Sequence, residues 1–366
     1  MTSPRILFYC HNAIGLGHVI RSLRIADAAL HDGARCAIVT GCRSLPSLDV
    51  DSRIDVEILP PVRIDDAGRP VALLDDVPDI IAVRSRRIAD FISRWRPHAV
   101  VVDHHPFGLG GELVGSLDTN ADARFILGIP YVEALPVGPF RNPQLRAALA
   151  RYTEILDYSD DGASASVALI PSAVITRVGV VCRPPLPPLP TDVRRVVALA
   201  GGGQAAADLY RIVIDAMRNL PDWHLRLVVG PFGDAHAVET LARERGDVEV
   251  WNRGTAEEAV RDATVVVSRC GYNTAYALVQ SALPIVFLPQ RLPADDQIAR
   301  AGRLSELPKI WNLDTRDPDV SAQLARVLHD ADLTPVARTL PFAIDGAHAA
   351  AREIVRMIVD KRPSGP

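Results

Sequence analysis

Val265-Val-Val-Ser-Arg-Cys-Gly-Tyr-Asn-Thr-Ala-Tyr-Ala-Leu278 reads as an apolar, β-branched strand that ends at Ser268, turns at Gly271 and opens a helix through Asn273 and Thr274. A strand, a glycine turn and a helix N-terminus in that order build an anion site. The first backbone N–H groups of a helix lack intrahelical partners, and the helix dipole is positive there. Gly271 leaves room for close backbone approach, and Ser268, Tyr272, Asn273 and Thr274 add donors. A second stretch, Ile6-Leu-Phe-Tyr-Cys-His-Asn-Ala-Ile-Gly-Leu-Gly-His18, repeats the pattern far upstream and ends in a histidine. Two such turns predict two Rossmann-like, doubly wound parallel-sheet α/β domains facing across a cleft.

Composition sets the limits. The chain has 366 residues, enough for two domains, with 48% hydrophobic and 23% charged residues, as in ordinary globular proteins. A net charge of −4, with no basic run, argues against nucleic acid as a partner. The basic residues are almost all arginine, Lys309 and Lys361 excepted, which with the abundant alanine reflects genome composition. Cys10, Cys36, Cys42, Cys182 and Cys270 are scattered without a C-x-x-C pair, so reduced, mostly buried thiols and no zinc site are expected. Met1-Thr-Ser-Pro-Arg leads straight into a strand-like run, and no apolar stretch has membrane-spanning length. A cytoplasmic location is expected; the oligomeric state is not legible.

Strand-like and helix-like runs alternate along the chain. Strands are expected at Ile6–Cys10, Ala34–Thr40, Arg53–Leu59, Ala99–Val102 and Ala123–Leu127, with helices such as Val19–His31 and Ile80–Trp95. Pro61–Asp76 and Phe107–Glu112 read as loops. Arg183-Pro-Pro-Leu-Pro-Pro-Leu-Pro-Thr-Asp192 can be neither helix nor central strand and reads as a linker. The alternation then restarts at the strand Val193–Leu199. The expected division is an acceptor domain over 1–182, the linker over 183–192, a donor domain over 193–345 and a terminal helical segment over 346–366.

Several side chains could carry chemistry. Gly201-Gly-Gly-Gln-Ala205 follows a strand and could cradle a phosphate, although it matches neither a P-loop nor a dinucleotide fingerprint. Paired with the Gly271 turn, it could hold the second phosphate of a diphosphate. His18 ends the upstream turn and could act as a general base, or simply cap a helix. Asp103 closes the strand Ala99-Val-Val-Val-Asp103 and could orient His18, or cap a turn. His104 and His105 come next, with a structural role expected for at least one. Asp296 and Gln297, together with Gln290, suit the reading of sugar hydroxyls. The acidic pairs Asp65-Asp66, Asp75-Asp76 and Asp160-Asp161 resemble solvated turns, so no metal is expected.

These motifs, in this order and over nearly the whole chain, resemble the GT-B fold glycosyltransferases. The likeness is to the lipid-II-forming N-acetylglucosaminyltransferase and to related predicted bacterial glycosyltransferases. It rests on Gly15-Leu-Gly-His18 with Arg21-Ser22, Gly201-Gly-Gly-Gln204, Ser268-Arg-Cys-Gly-Tyr-Asn-Thr274 and Asp296-Gln297. The resemblance implies that Gly15 and Gly17 face the diphosphate or the acceptor and that His18 is the base. It implies a first donor loop of Gly202, Gly203 and Gln204, and a diphosphate loop at Gly271, Asn273 and Thr274. It also implies a sugar-reading pair, Asp296 and Gln297, and a final helix after Pro341 that returns to the first domain. One position departs: many relatives carry a ribose-binding glutamate where this chain has Ala277. UDP is the default donor nucleotide, and dTDP fits a site that reads one hydroxyl fewer.

The leading expectation is a metal-independent hexosyltransferase with no cofactor, the nucleotide-sugar being a co-substrate. It would move the sugar to a hydroxyl of a soluble small-molecule acceptor such as a natural product, bound by the first domain. The alternative is a nucleotide-sugar hydrolase using water, since Ile14-Gly-Leu-Gly-His-Val-Ile-Arg21 also resembles the UDP-sugar hydrolase of pseudaminic acid synthesis. A nucleotide-sugar 2-epimerase and a degenerate partner of another transferase complete the set.

Overall fold

In the computed structural model the chain forms two compact units, Met1–Cys182 with Phe342–Pro366, and Arg183–Pro341. The structure describes residues 3–11, 16–65, 69–73, 77, 79–120, 122–130, 147–160, 170, 173–201, 207–230, 233–243, 245–291 and 297–360.

In the first unit, short apolar strands form a parallel seven-stranded sheet in the order β3-β2-β1-β6-β7-β8-β9. These are β1 (Arg5–Cys10), β2 (Arg35–Thr40), β3 (Asp55–Ile58), β6 (Ala99–Asp103), β7 (Arg124–Ile129), β8 (Tyr152–Asp157) and β9 (Val174–Arg177). The central strands are buried on both faces, which is why they read as continuous apolar runs rather than alternating ones. Helices α1 (Gly17–His31), α2 (Ile80–Trp95) and α3 (Val114–Thr119) belong to this unit. β1 pairs with β2 on one side and β6 on the other, with Cys10 opposite both Thr40 and Asp103. The chain thus reverses its direction of travel across the sheet between β1 and β6. In open α/β sheets, ligands bind at the carboxyl edge of such a switch point.

The second unit repeats the plan with six parallel strands in the order β12-β11-β10-β13-β14-β15. They are β10 (Arg195–Leu199), β11 (His224–Val228), β12 (Val248–Trp251), β13 (Val265–Ser268), β14 (Ile285–Phe287) and β15 (Ile310–Asn312). Its helices are α4 (Ala207–Ala216), α5 (Ala235–Arg243), α6 (Ala256–Ala259), α7 (Tyr272–Val279), α8 (Gln297–Leu304) and α9 (Val320–Asp330). Leu199 lies opposite Ser268, so the switch point here falls between β10 and β13. Val196, Leu225, Val267, Leu209 and Leu324 are among the side chains of its core.

The last helix, α10 (Gly346–Val359), packs against α1. Val180 N–H donates to the Ala343 carbonyl and Gly346 N–H to the Val180 carbonyl, tying the segment down. Gly346 is required there, because a Cβ would overlap the Gly179 carbonyl.

Some expectations need correction. The stretch Pro61–Asp76 is not all loop: β4 (Val62–Ile64) and β5 (Pro70–Ala72) form an antiparallel hairpin. Strands β8, β9 and β15 and helix α3 were not anticipated. Arg183–Pro190 does lack helix and strand, and it lies on the second unit, where Leu189 N–H and the Pro187 carbonyl bond Arg261. No described helix is long and apolar enough to cross a membrane.

Candidate functional site

In the first unit the switch point carries a cluster of ionisable side chains. His18 is the second residue of α1, which begins without a side-chain cap. Asp103 is the last residue of β6 and is buried. The structure brings the two together, with His18 Nδ1 2.8 Å from Asp103 Oδ1. Sequence reasoning assigned no role to the residue that completes the group. Arg21, one helical turn beyond His18, donates through Nε to Asp103 Oδ2 (2.8 Å) and through Nη2 to Oδ1 (2.6 Å). Burial pushes the Asp103 pKa up, but the Arg21 charge and the His18 bond outweigh it and hold the carboxyl below the usual carboxylate range.

Three more imidazoles surround the pair. The His11 ring centroid lies 4.0 Å from that of His18 and 4.2 Å from that of His105, and His104 lies 5.7 Å from His18. Burial, reinforced by the neighbouring imidazoles, pushes His11 and His104 well below the ordinary histidine value. The same causes bring His105 down to about 4. These three are therefore neutral at physiological pH. His104 is wholly buried in a left-handed conformation (φ 68°), and its N–H donates to the Gly128 carbonyl. His105, the next residue, is half-buried. Among the described residues no group of three potential ligands could hold a metal ion.

A second buried group fixes the 107–112 loop. Tyr9 Oη donates to Glu112 Oε1 (2.7 Å), as does Arg84 Nε (3.1 Å), while Gly110 N–H donates to Oε2 (2.8 Å). Arg84 Nη1 reaches the Pro60 carbonyl at 2.8 Å. The sequence did carry a sign of this, since Arg84 falls midway between Ile80 and Ile88 on the apolar stripe of α2.

In the second unit, α7 starts at the carboxyl edge beside the switch point. The left-handed residue of the turn is Cys270 (φ 64°), whereas Gly271 has an ordinary φ of −62° and is the helix N-cap. A Cβ on Gly271 would meet nothing, so open space lies before this helix. Ser268 and Tyr272 are buried, while Asn273, Thr274 and Ala277 share the half-buried face of α7. Arg300 Nη1 donates to the Cys270 carbonyl (2.7 Å), with its guanidinium 5.7 Å from the Tyr272 ring. Arg269 bonds the Leu288 carbonyl and pairs with Asp208 on α4, joining three elements at this edge. Gln297 is buried and its Oε1 accepts from the Gln290 N–H (3.0 Å). Gly17 begins α1. Gly15, Gly202, Gly203, Gln204 and Asp296 lie outside the described residues. All five cysteines are free and buried.

No protein-family model matches the sequence, and no curated protein matches it. Solved structures do. MurG of Acinetobacter baumannii is similar over 97% of this chain and 99% of its own, at 15% identity and TM-score 0.58. The glycotransferase of kitacinnamycin aligns over 98% and 96%, at 17% identity and TM-score 0.60. Arabidopsis thaliana UGT89C1, complexed with UDP-L-rhamnose, aligns over 98% and 99%, at 15% identity and TM-score 0.64. The two parallel-sheet units and these neighbours agree on the architecture: the chain has the GT-B fold.

Proposed function

We propose that this protein is a glycosyltransferase that moves a sugar from a nucleotide-diphosphate donor, UDP- or dTDP-linked, to a hydroxyl of a soluble small-molecule acceptor such as a natural product. The observation that carries the reading is the His18–Asp103 pair, 2.8 Å apart at the switch point of a GT-B unit. The carboxylate accepts the proton of Nδ1 and so leaves Nε2 as the basic nitrogen, able to take the acceptor's hydroxyl proton as the new bond forms. The donor diphosphate would sit in the open space before α7. There the N–H groups of the first turn, with Asn273 and Thr274, stabilise the charge that grows as the sugar leaves. No metal is needed in this scheme, and the helix N-terminus takes its electrostatic place. Ala277 on the same face offers the ribose no carboxylate, which suits a donor with few ribose contacts.

The test is a thermal-shift panel of UDP, dTDP, GDP and ADP with their common sugars, on the wild type and on Gly271→Asp. One nucleotide should stabilise the wild type, by about 2.7 kcal/mol at a hundredfold excess over Kd, and not the variant. His18→Ala should retain binding and lose about a hundredfold or more in turnover. Binding to none of the panel would refute the donor assignment. A second reading has one observation in its favour. The His18 side chain is only 16% exposed and is ringed by other imidazoles, so a nucleophile as small as water would reach it most easily. Donor hydrolysis at full turnover rate without added acceptor would select the hydrolase.

A further inference from the structure

The charge balance around His18 is unlike that of a simple histidine–aspartate pair. Arg21 is 1% exposed and engages both oxygens of Asp103, and its Nη2 also stands 3.1 Å from His18 Nδ1. His18 Nδ1 and Arg21 Nη2 therefore both lie within hydrogen-bond distance of one oxygen, Oδ1. Among the described residues, the rings of His11, after β1, and of His104 and His105, after β6, lie around His18.

We infer that Arg21 is a positioning residue. It clamps Asp103 through both oxygens and so fixes His18 with its Nδ1 proton toward Oδ1, which leaves Nε2 as the nitrogen that can accept a proton. The inference rests on the reading of His18 as the base, but its geometry stands apart from the donor's identity. Nδ1 has a single in-plane lone pair or proton to offer. Arg21 can only donate, so were it the ring's partner, Nδ1 would be the acceptor and Nε2 would carry the proton, the wrong form for a base. Nη2 lies 2.6 Å from Oδ1 and 3.1 Å from Nδ1, so its shorter contact goes to the carboxylate.

The test uses the full chain with 15N-labelled histidine, reading imidazole tautomer and protonation by long-range 1H–15N correlation. His18→Gln assigns the resonance, and no substrate is required. The wild type should show the neutral His18 ring as a single tautomer protonated at Nδ1. In Arg21→Gln the two-point grip on Asp103 is gone, and His18 should exchange between its Nδ1–H and Nε2–H tautomers. A ring still locked in the Nδ1–H tautomer in folded Arg21→Gln overturns the inference. If Arg21→Gln fails to fold, Arg21→Lys keeps the charge but not the two-point grip, and the same exchange is expected; a ring still locked there overturns the inference. Nucleotide binding lost from the whole panel, with these tautomer results intact, would refute the proposed function and leave the role of Arg21 standing.

Discussion

Replacing Asp103 by asparagine probes both stability and chemistry at one atom. The carboxylate is 3% exposed and accepts three hydrogen bonds, two from Arg21 and one from His18. Asparagine keeps one acceptor and turns the other into an NH2 donor, which meets an Arg21 donor in either orientation, because Nε faces Oδ2 and Nη2 faces Oδ1; the buried guanidinium is also left without its counter-charge. Breaking a buried pair from one side costs about 3–5 kcal/mol. At roughly 2–4 °C per kcal/mol for a domain of this size, that is a fall in Tm of about 6–20 °C. If the NH2 group faces His18, Nδ1 becomes the acceptor, Nε2 carries the proton, and turnover should fall by about four orders of magnitude, the scale seen when an orienting aspartate becomes an amide. The pH dependence comes from the depressed pKa of Asp103. A group whose folded value is below its unfolded value contributes stability that is present above the unfolded value, about 3.9, and lost as pH falls toward the folded one. The gap between wild type and Asp103→Asn should therefore be constant from pH 7 to about 4, then narrow by up to about 1.4 kcal/mol per unit. Urea unfolding across this range measures it. A cost under about 1 kcal/mol at pH 7, or a gap that does not narrow in acid, would refute the charge argument.

Other perturbations separate structure from binding. Gly271→Ala should change stability by less than about 0.5 kcal/mol, since its φ is ordinary and its Cβ meets open space; chemical denaturation checks this. Gly271→Asp should fold as well as wild type, because aspartate is a good N-cap, yet lose all stabilisation by nucleotides in the same melts. Gly108→Ala should cost about 1–3 kcal/mol or more, because φ is +78° and the new Cβ would lie 2.5 Å from the Glu112 carboxyl carbon; urea unfolding reads the loss. Chelation with EDTA should leave turnover unchanged, as the chemistry proposed here uses a helix N-terminus in place of a cation.

What the sequence revealed and what it hid divide along physical lines. The two strand–turn–helix edges were legible because doubly buried strands leave unbroken apolar runs, and because histidine and aspartate at strand ends stand out against them. His18 and Asp103 were paired on that basis, and they meet. Strand β8, Tyr-Thr-Glu-Ile-Leu-Asp, escaped because it mixes polar and apolar positions, and β9 because it is a sheet edge whose Val174 and Ile175 are exposed. The turn before α7 was assigned to its glycine, but the left-handed residue is Cys270, which Arg300 holds through its carbonyl. A glycine nearby does not say which residue bears the unusual angle. Arg21 and Arg84 were hidden because a buried ion pair is a property of two distant segments, and each arginine alone looks like a solvated charge. Only their positions on buried helix faces betray them.

The two switch points share a geometry and not a chemistry, and the difference lies in the residues just past the end of each strand. After β13 the chain presents the N-terminus of α7 with a glycine cap, open space in front of it and no carboxylate among the described residues of its first turn. The helix N-terminus at that edge offers fixed backbone donors, which suit a ligand whose charge is fixed, such as a diphosphate. After β1 the chain presents the N-terminus of α1 as well, but here β6 delivers Asp103 and the helix itself delivers Arg21. Arg21 and Asp103 pair with each other, and the partly exposed imidazole of His18 is held against the carboxylate. That edge suits a proton in transit more than a resident anion. On the function proposed above, one strand–turn–helix plan would supply both an anchor and a base. The distinction rests on two side chains, and exchanging either should convert one kind of edge toward the other before it unfolds the sheet.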